Sequence, residues 1–232
     1  MTKQPNKRSG SPYRILFWLG AGVLILLAGI LALVLLRGRG GEQAAPDPER
    51  TLLWIYDDAA PAGPAALTVI RESRGGRTLT AVPFPAPEDA RQAYGGSSGR
   101  TAQNHLGSRL GLTLHHRVFM PYSVVKALVD AAGGINVNGQ AMSGDQVVAF
   151  IREGGDESAL RATGVLLALA QAVTQNGVNM SAPQALQMAR KVDTDLDLTK
   201  LPTVLGRWSQ YDQPRVTRPA AVDYQTLAGL LK

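Results

Sequence analysis

The segment Ile15–Leu36 sets the first limit on how this chain can fold, because it contains only Leu, Ile, Val, Ala, Gly, Phe and Trp. At about 1.5 Å rise per residue, a helix of this length covers a hydrocarbon core of roughly 30 Å. The segment is therefore expected to be a transmembrane helix. Lys3, Lys7, Arg8 and Arg14 precede it, while only Arg37 and Arg39 follow closely. That excess of positive charge favours a cytoplasmic N-terminus, residues 1–14, and an extracytoplasmic main domain. A cleaved signal peptide is the competing reading. It ordinarily has a shorter apolar core and a small-residue cleavage site directly after it. The expected location is the cytoplasmic membrane, crossed once.

The formal net charge of +6 would suggest a nucleic-acid or anionic-lipid partner if it were spread over the chain. Residues 1–41 hold six of the 24 basic residues and none of the 18 acidic ones, so the remainder carries 18 of each. A surface that tracks phosphates needs a cluster of unpaired cations. A neutral outer part argues against nucleic acid. With no cysteine, disulfides, thiolate metal sites and cysteine nucleophiles are excluded. The roughly 190 outer residues suit one domain with a sizeable core.

Residues 37–50 are rich in Gly, Pro, Ala and charge, as befits a short linker. Beyond it, Thr51–Tyr56 reads as a buried strand, and Ala66–Arg71 with Thr78–Val82 as a hairpin. Pro83, Pro85 and Pro87 are expected to stop the strand. A loop with Tyr94-Gly95-Gly96 then leads to a helix around Thr101–Leu110. Leu114–Met120 reads as a strand and Ser123–Ala132 as a helix ended by Gly133-Gly134, after which Ile135–Val137 resumes extended structure. Later helix starts are marked by Ser143 with Gln146, by Ser158 as N-cap, and by Ser181 with Gln184. Asp223–Leu231 reads as a short docking helix.

Several chemistries can be set aside. Gly95-Gly-Ser-Ser-Gly99 fits a nucleophile-elbow pattern, but all three histidines lie at or before His116 and no acid separates Ser97 from His116. It is expected to be a plain loop. His115 and His116 are adjacent on a strand, so they point to opposite faces and cannot readily share a metal. Asp193-Thr-Asp195-Leu-Asp197 begins like a calcium loop. Leu198 and Val204, however, stand where the turn glycine and the bidentate glutamate belong. It reads as a solvated turn capping a following helix.

The order of pieces carries further information. An anchor, a strand ending in Asp, a hairpin and proline turn, and Ala93-Tyr-Gly-Gly96 precede Leu110-Gly-Leu112. Leu128-Val-Asp-Ala-Ala-Gly-Gly-Ile135 and Ser143-Gly-Asp-Gln-Val-Val-Ala-Phe-Ile-Arg152 come after. Together these resemble the LytR-CpsA-Psr family of envelope proteins, over roughly residues 50 to 190. The resemblance implies a three-layer α/β/α domain with a mixed central sheet over residues 51–192, residues 193–232 being a C-terminal extension. It also implies a hydrophobic pocket for a polyprenyl chain and a charged mouth for its pyrophosphate. Members of that family are thought to transfer polyprenyl-linked glycopolymers to peptidoglycan with Mg²⁺. By that resemblance, Asp57 or Asp58 would be the metal carboxylate, and Arg152 and Arg161 the phosphate-gripping catalytic pair.

This sequence also departs from the pattern. A second acid is missing near Gly63-Pro64, both charged members are missing from the turn at Pro83-Phe84-Pro85, and Gly154 stands where a partner of Arg152 would be. The segment between Asn138 and Ser143 is short. Each charge-assisted contact to a diphosphate contributes on the order of 1.5–3 kcal/mol, so losing several weighs against efficient transfer. Two functions stay open. One is an envelope protein that binds a polyprenyl-(pyro)phosphate-linked glycopolymer and transfers it weakly. The other is a catalytically degenerate scaffold, with Arg152 and Arg161 as solvated helix-end residues pairing with Glu153, Asp156 or Glu157.

Overall fold

The computed structural model describes residues 49–73, 78–95, 98–176, 179–196 and 215–232. The expected anchor over 15–36, its basic tail and the linker up to residue 48 lie outside the described residues. Among the described residues, no helix is long and apolar enough to cross a membrane.

The domain opens with β1 (Glu49–Asp57), antiparallel to β2 (Ala60–Ser73), which is itself antiparallel to β3 (Thr78–Pro85). Helices α1 (Glu88–Gly95) and α2 (Gly99–Leu110) lead to β4 (His116–Pro121), which runs parallel to β1. Next come α3 (Tyr122–Ala131), the small hairpin β5 (Ile135–Val137) and β6 (Gln140–Met142), α4 (Gly144–Arg152), a 3-10 turn at Gly155–Glu157, α5 (Ser158–Asn176) and α6 (Ala182–Ala189). The two-residue strands β7 (Asp193–Thr194) and β8 (Arg215–Val216) then flank the sheet, and α7 (Tyr224–Leu231) completes the order. The sheet is mixed, with strand order β7-β4-β1-β2-β3-β8.

Side-chain alternation along β1 explains the layers. Leu53 and Ile55 join a core with α3, α4, α5 and α6, whereas Leu52 and Trp54 join a second core with α1, α2 and α7. A strand buried on both faces reads as one continuous apolar run, as Thr51–Tyr56 does. Helices therefore cover both sides, giving the expected α/β/α arrangement.

Local signals place most elements. Ser143 with Gln146 and Ser181 with Gln184 both form capping boxes, and Gly133 (φ 78°) with Gly134 (φ 94°) turns the chain out of α3 in a conformation that side chains rarely adopt. Four expectations need correction. First, β3 runs through Pro83 to Pro85. The N–H of Ala86 bonds to the Ala65 carbonyl, so in the antiparallel alternation Pro83 and Pro85 turn their nitrogens away from β2. On that outer side β8 pairs only Thr80 and Ala81, and no ladder bond is lost at the prolines. Second, Tyr94 belongs to helix α1 and not to a loop. Third, Ser158 has helical backbone angles (φ −53°, ψ −39°) and does not cap α5, because the 3-10 turn feeds directly into that helix.

The fourth correction concerns Asp193 and Asp195, which are not a solvated turn. Asp193 opens the edge strand β7, and both carboxylates clamp Arg117 of β4. Arg117 Nη2 lies 3.0 Å from Asp193 and Nη1 3.0 Å from Asp195, while the Arg117 backbone N–H donates to Asp195. Gly99 N–H donates to the other Asp193 oxygen, which ties the start of α2 to the same edge. The histidines are structural, as expected. His115 Nδ1 accepts the Arg50 N–H, and His116 Nε2 meets Glu49 at 2.8 Å.

The stretch after Val192 supplies both edge strands and a core helix. Asp223 caps α7 through the Thr226 N–H, Leu227 and Leu231 are fully buried, and Arg50 Nε donates to the Leu231 carbonyl. Tyr224 donates its hydroxyl to Asp89 of α1 at 2.6 Å, and Arg109 stacks 4.7 Å from the Tyr224 ring. Partial burial raises the Asp89 carboxyl pKa. Hydrogen bonds from Tyr224, His105 and the Ala90 N–H outweigh that effect, leaving it below the ordinary value.

These contacts lead to two testable outcomes. Arg117→Ala leaves two facing carboxylates without their cation, and the partial exposure of both acids limits the damage; a loss of about 2–3 kcal/mol is expected in urea denaturation. For Asp89 the folded pKa is depressed, so its contribution to stability is present above about pH 4 and lost as pH falls through the folded value. Tyr224→Phe removes one donor. The stability gap between wild type and this variant should therefore narrow between pH 7 and pH 3, and an unchanged gap would contradict the role given to Asp89.

Candidate functional site

Strands β1 and β4 are parallel, so both deliver their C-terminal ends to the same side of the sheet. The β1–β2 register shifts between Tyr56 and Asp57, which frees Asp57 and Asp58 from the regular ladder. At the end of β4 the chain turns directly into α3, whose first residues are Tyr122 and Ser123. Ligand sites of open α/β sheets form outside such strand ends.

A cavity of about 720 Å³ lies there, lined by Asp57, Asp58, Tyr122, Ser123, Lys126 and, from α4 and its C-cap, Asp145, Val148, Arg152 and Glu153. Arg152 Nη2 pairs with Asp57 Oδ2 at 2.7 Å, and its guanidinium sits 5.2 Å from the centre of the Tyr122 ring. The arginine is thus held by a carboxylate and an aromatic face while 52% of its side chain stays exposed. Burial pushes the Tyr122 phenol pKa up; the Arg152 charge opposes this and Asp57 reinforces it. Asp58 accepts both the backbone N–H (2.9 Å) and the hydroxyl (2.5 Å) of Ser123, which places a carboxylate at the N-terminus of α3. Lys126 pairs with Asp145 across the α3–α4 contact, and Lys191 Nζ donates to Ser123 Oγ at 3.3 Å.

The structure therefore brings Asp57, Asp58 and Arg152 to one cavity. Arg161 is held elsewhere: its Nη1 donates to the Phe150 carbonyl at 2.9 Å and its guanidinium lies 4.7 Å from the Phe150 ring. It satisfies a carbonyl in the last turn of α4. Neither arginine makes the solvated pairing set out as the alternative. Arg152 takes Asp57, and Glu157 pairs with Arg218. Sequence reasoning missed Tyr122, Ser123, Lys126, Asp145 and Lys191. A Ser or Lys in the first turn after a strand carries no local signature, and Lys191 arrives from far along the chain.

The donor set does not fit a preformed Mg²⁺ site. Asp57 is already ion-paired and Asp58 already accepts two hydrogen bonds, and no group of three His, Asp or Glu residues able to hold a metal occurs among the described residues.

Gly154 has a steric reason to be glycine. A Cβ added there would lie 2.8 Å from Ser158 Cα and 2.9 Å from both Ser158 N and Arg161 Cδ. Two of these three neighbours are backbone atoms, so the 3-10 turn itself would have to move. Gly154→Arg is thus expected to fail as a restoration of the missing arginine. It should destabilise the domain by about 1–3 kcal/mol in thermal or urea denaturation, in line with overpacking of a tight contact. A stable Gly154→Arg protein would refute that account.

No protein-family model matches the sequence, and a search of curated proteins finds no match. Solved structures do match. TagT of B. subtilis is 12% identical with a TM-score of 0.56, covering 80% of this chain and 86% of that one. B. subtilis TagV is 14% identical at a TM-score of 0.55, covering 77% and 86%. A structure of TagT bound to LI-WTA is 13% identical at 0.58, covering 79% and 83%. A transcriptional regulator from Enterococcus faecalis is 17% identical at 0.56, covering 75% and 76%. Likeness at this level of identity establishes architecture, and the architecture agrees with the signature read around Leu128–Arg152. The chain has the fold of TagT and TagV.

Proposed function

We propose that this chain is a membrane-anchored protein of the cell envelope whose Asp57–Arg152 cavity receives the phosphate-bearing link of a polyprenyl-linked glycopolymer. The observation that carries the reading is Arg152. It is oriented by Asp57 and the Tyr122 ring yet half exposed at the mouth of a cavity formed at parallel strand ends. A pre-oriented guanidinium loses little entropy when it grips a phosphate. The shared fold supports the reading, since TagT has been solved with LI-WTA, a wall teichoic acid ligand. The apolar stretch Ile15–Leu36 supports an anchor that keeps the domain beside lipid-linked substrates. Peptidoglycan is the proposed acceptor.

A second reading is favoured by one specific observation. The cations lining the cavity already have anionic partners, Arg152 with Asp57 and Lys126 with Asp145, while Asp58 and Glu153 add further negative charge. A diphosphate must compete with those pairs. This is the situation of a scaffold that keeps the fold without the transfer reaction. Regulation of genes finds no support in the neutral outer part of the chain.

Titration separates the readings. Full-length protein in lipid nanodiscs is titrated with a short-chain polyprenyl pyrophosphate, with and without Mg²⁺, and the measurement is repeated with Arg152→Ala. Saturable binding weakened about tenfold or more by the substitution is expected, since a charge-assisted contact contributes about 1.5–3 kcal/mol. Absence of saturable binding by the wild type would leave the scaffold.

A further inference from the structure

The first turn of α3 carries a hydroxyl in an arrangement that capping the helix does not require. Pro121 precedes α3 and supplies no side-chain cap, so the Ser123 N–H has no partner within the helix and Asp58 Oδ2 accepts it at 2.9 Å. That bond completes the cap. Asp58 Oδ1 nevertheless accepts the Ser123 hydroxyl at 2.5 Å, the short end of the range for a hydroxyl on a carboxylate. Both oxygens of one carboxylate thus hold one residue. The Ala59 N–H donates to Asp57 Oδ1 at 3.0 Å and folds the turn that presents Asp58.

Lys191 adds a third member from just beyond α6. Its Nζ donates to Ser123 Oγ at 3.3 Å, and among the described residues it pairs with no carboxylate, unlike Lys126 and Arg152. One oxygen therefore gives its proton to an anion and faces a cation. That is the polarity of an activated nucleophile: the carboxylate is placed to take the proton, and the ammonium offsets the negative charge that the carboxylate brings toward an anionic substrate. An aspartate suffices as the base in phosphoryl transfer, where a loose transition state asks more for positioning than for a strong base. Ser123 is partly exposed and lines the same cavity as Arg152, whose guanidinium rests against the ring of the neighbouring Tyr122. A phosphate gripped by Arg152 enters the cavity that Ser123 lines. A phosphoryl group on Ser123 would lie at the N-terminus of α3, where the helix dipole favours negative charge.

We propose that Ser123 is the nucleophile of a two-step transfer, with Asp58 as its base, a reading that rests on the diphosphate binding proposed above. Its Oγ attacks the phosphorus farther from the lipid. The Oγ–P bond forms as the bond from that phosphorus to the bridging oxygen breaks. Polyprenyl monophosphate leaves, the hydroxyl proton passes to Asp58, and the glycan stays attached to the phosphoryl group on Ser123. A hydroxyl of the acceptor, or water, then attacks the same phosphorus. Ser123 Oγ leaves and recovers its proton from Asp58, while the proton of the attacking hydroxyl is released to water. A covalent relay divides one difficult displacement into two easier ones, which suits a cavity with few cations to stabilise the single step.

Full-length protein in nanodiscs is mixed with the short-chain polyprenyl pyrophosphate under the conditions of the binding titration and quenched in acid at successive times. Peptides are then read by mass spectrometry, and polyprenyl monophosphate is quantified in the same samples. One phosphoryl group should appear on Ser123, at the rate of a first burst of monophosphate. Ser123→Ala should abolish both the label and the burst. Asp58→Asn, which can still accept the Ser123 N–H, should slow labelling about tenfold or more. Unchanged melting temperatures show that both variants fold. Saturable binding by the wild type with no label on Ser123 would overturn this inference and leave the binding proposal standing, whereas lack of binding would remove both. A burst that survives in Ser123→Ala, or labelling at the wild-type rate in Asp58→Asn, would also overturn it.

Discussion

Strand β1 has no solvent face, and this requirement organises the rest of the domain. Leu53 and Ile55 are buried toward one set of helices while Leu52 and Trp54 are buried toward another, so the sheet must be covered twice. Trp54 stacks on Phe119 at 5.0 Å, fixing β4 beside β1 in parallel register. Parallel neighbours end on the same side. The end of β1, with Asp57 and Asp58, is therefore brought against the start of α3, with Tyr122 and Ser123. The candidate cavity is a geometric product of that pairing, in the position where open α/β sheets form their ligand crevices.

Two arginines show how the same chemistry serves stability in one place and stays accessible in another. Arg117 has only 9% of its side chain exposed and is shared between Asp193 and Asp195, so its ion pairs hold the edge of the sheet together. Arg152 makes a comparable contact with Asp57 but keeps half of its side chain in solvent. An exposed pair contributes little to stability and can exchange its carboxylate for another anion at small energetic cost. Exposure thus separates a structural clamp from a group available to a ligand.

Much of the architecture was legible in the chain. Capping boxes at Ser143 and Ser181, the paired glycines after α3 and the apolar run of β1 are local signals that the tertiary structure had no reason to override. Less was legible where position decides meaning. Pro83 and Pro85 look like strand stops but are tolerated because their nitrogens face away from the ladder. Ser158 looks like a cap but is overtaken by the 3-10 turn. Asp193 and Asp195 look like a solvated turn because their partner lies more than seventy residues away. Of the candidate site, Asp57, Asp58 and Arg152 could be named from a family resemblance, while Lys126, Asp145 and Lys191 could not.

The sequence by itself determined the apolar N-terminal segment, the balance of charge beyond residue 41, the both-faces-buried first strand and the absence of cysteine chemistry, since each depends on composition or on spacing within a few residues. Only the tertiary structure decided that Arg152 and Asp57 meet while Arg161 turns to the Phe150 carbonyl. It alone showed that Gly154 leaves no room for a side chain. Those outcomes depend on which strand ends are adjacent and which backbone passes within 3 Å of another. Distances across a fold are set by packing of the whole chain, and no short stretch of residues encodes them.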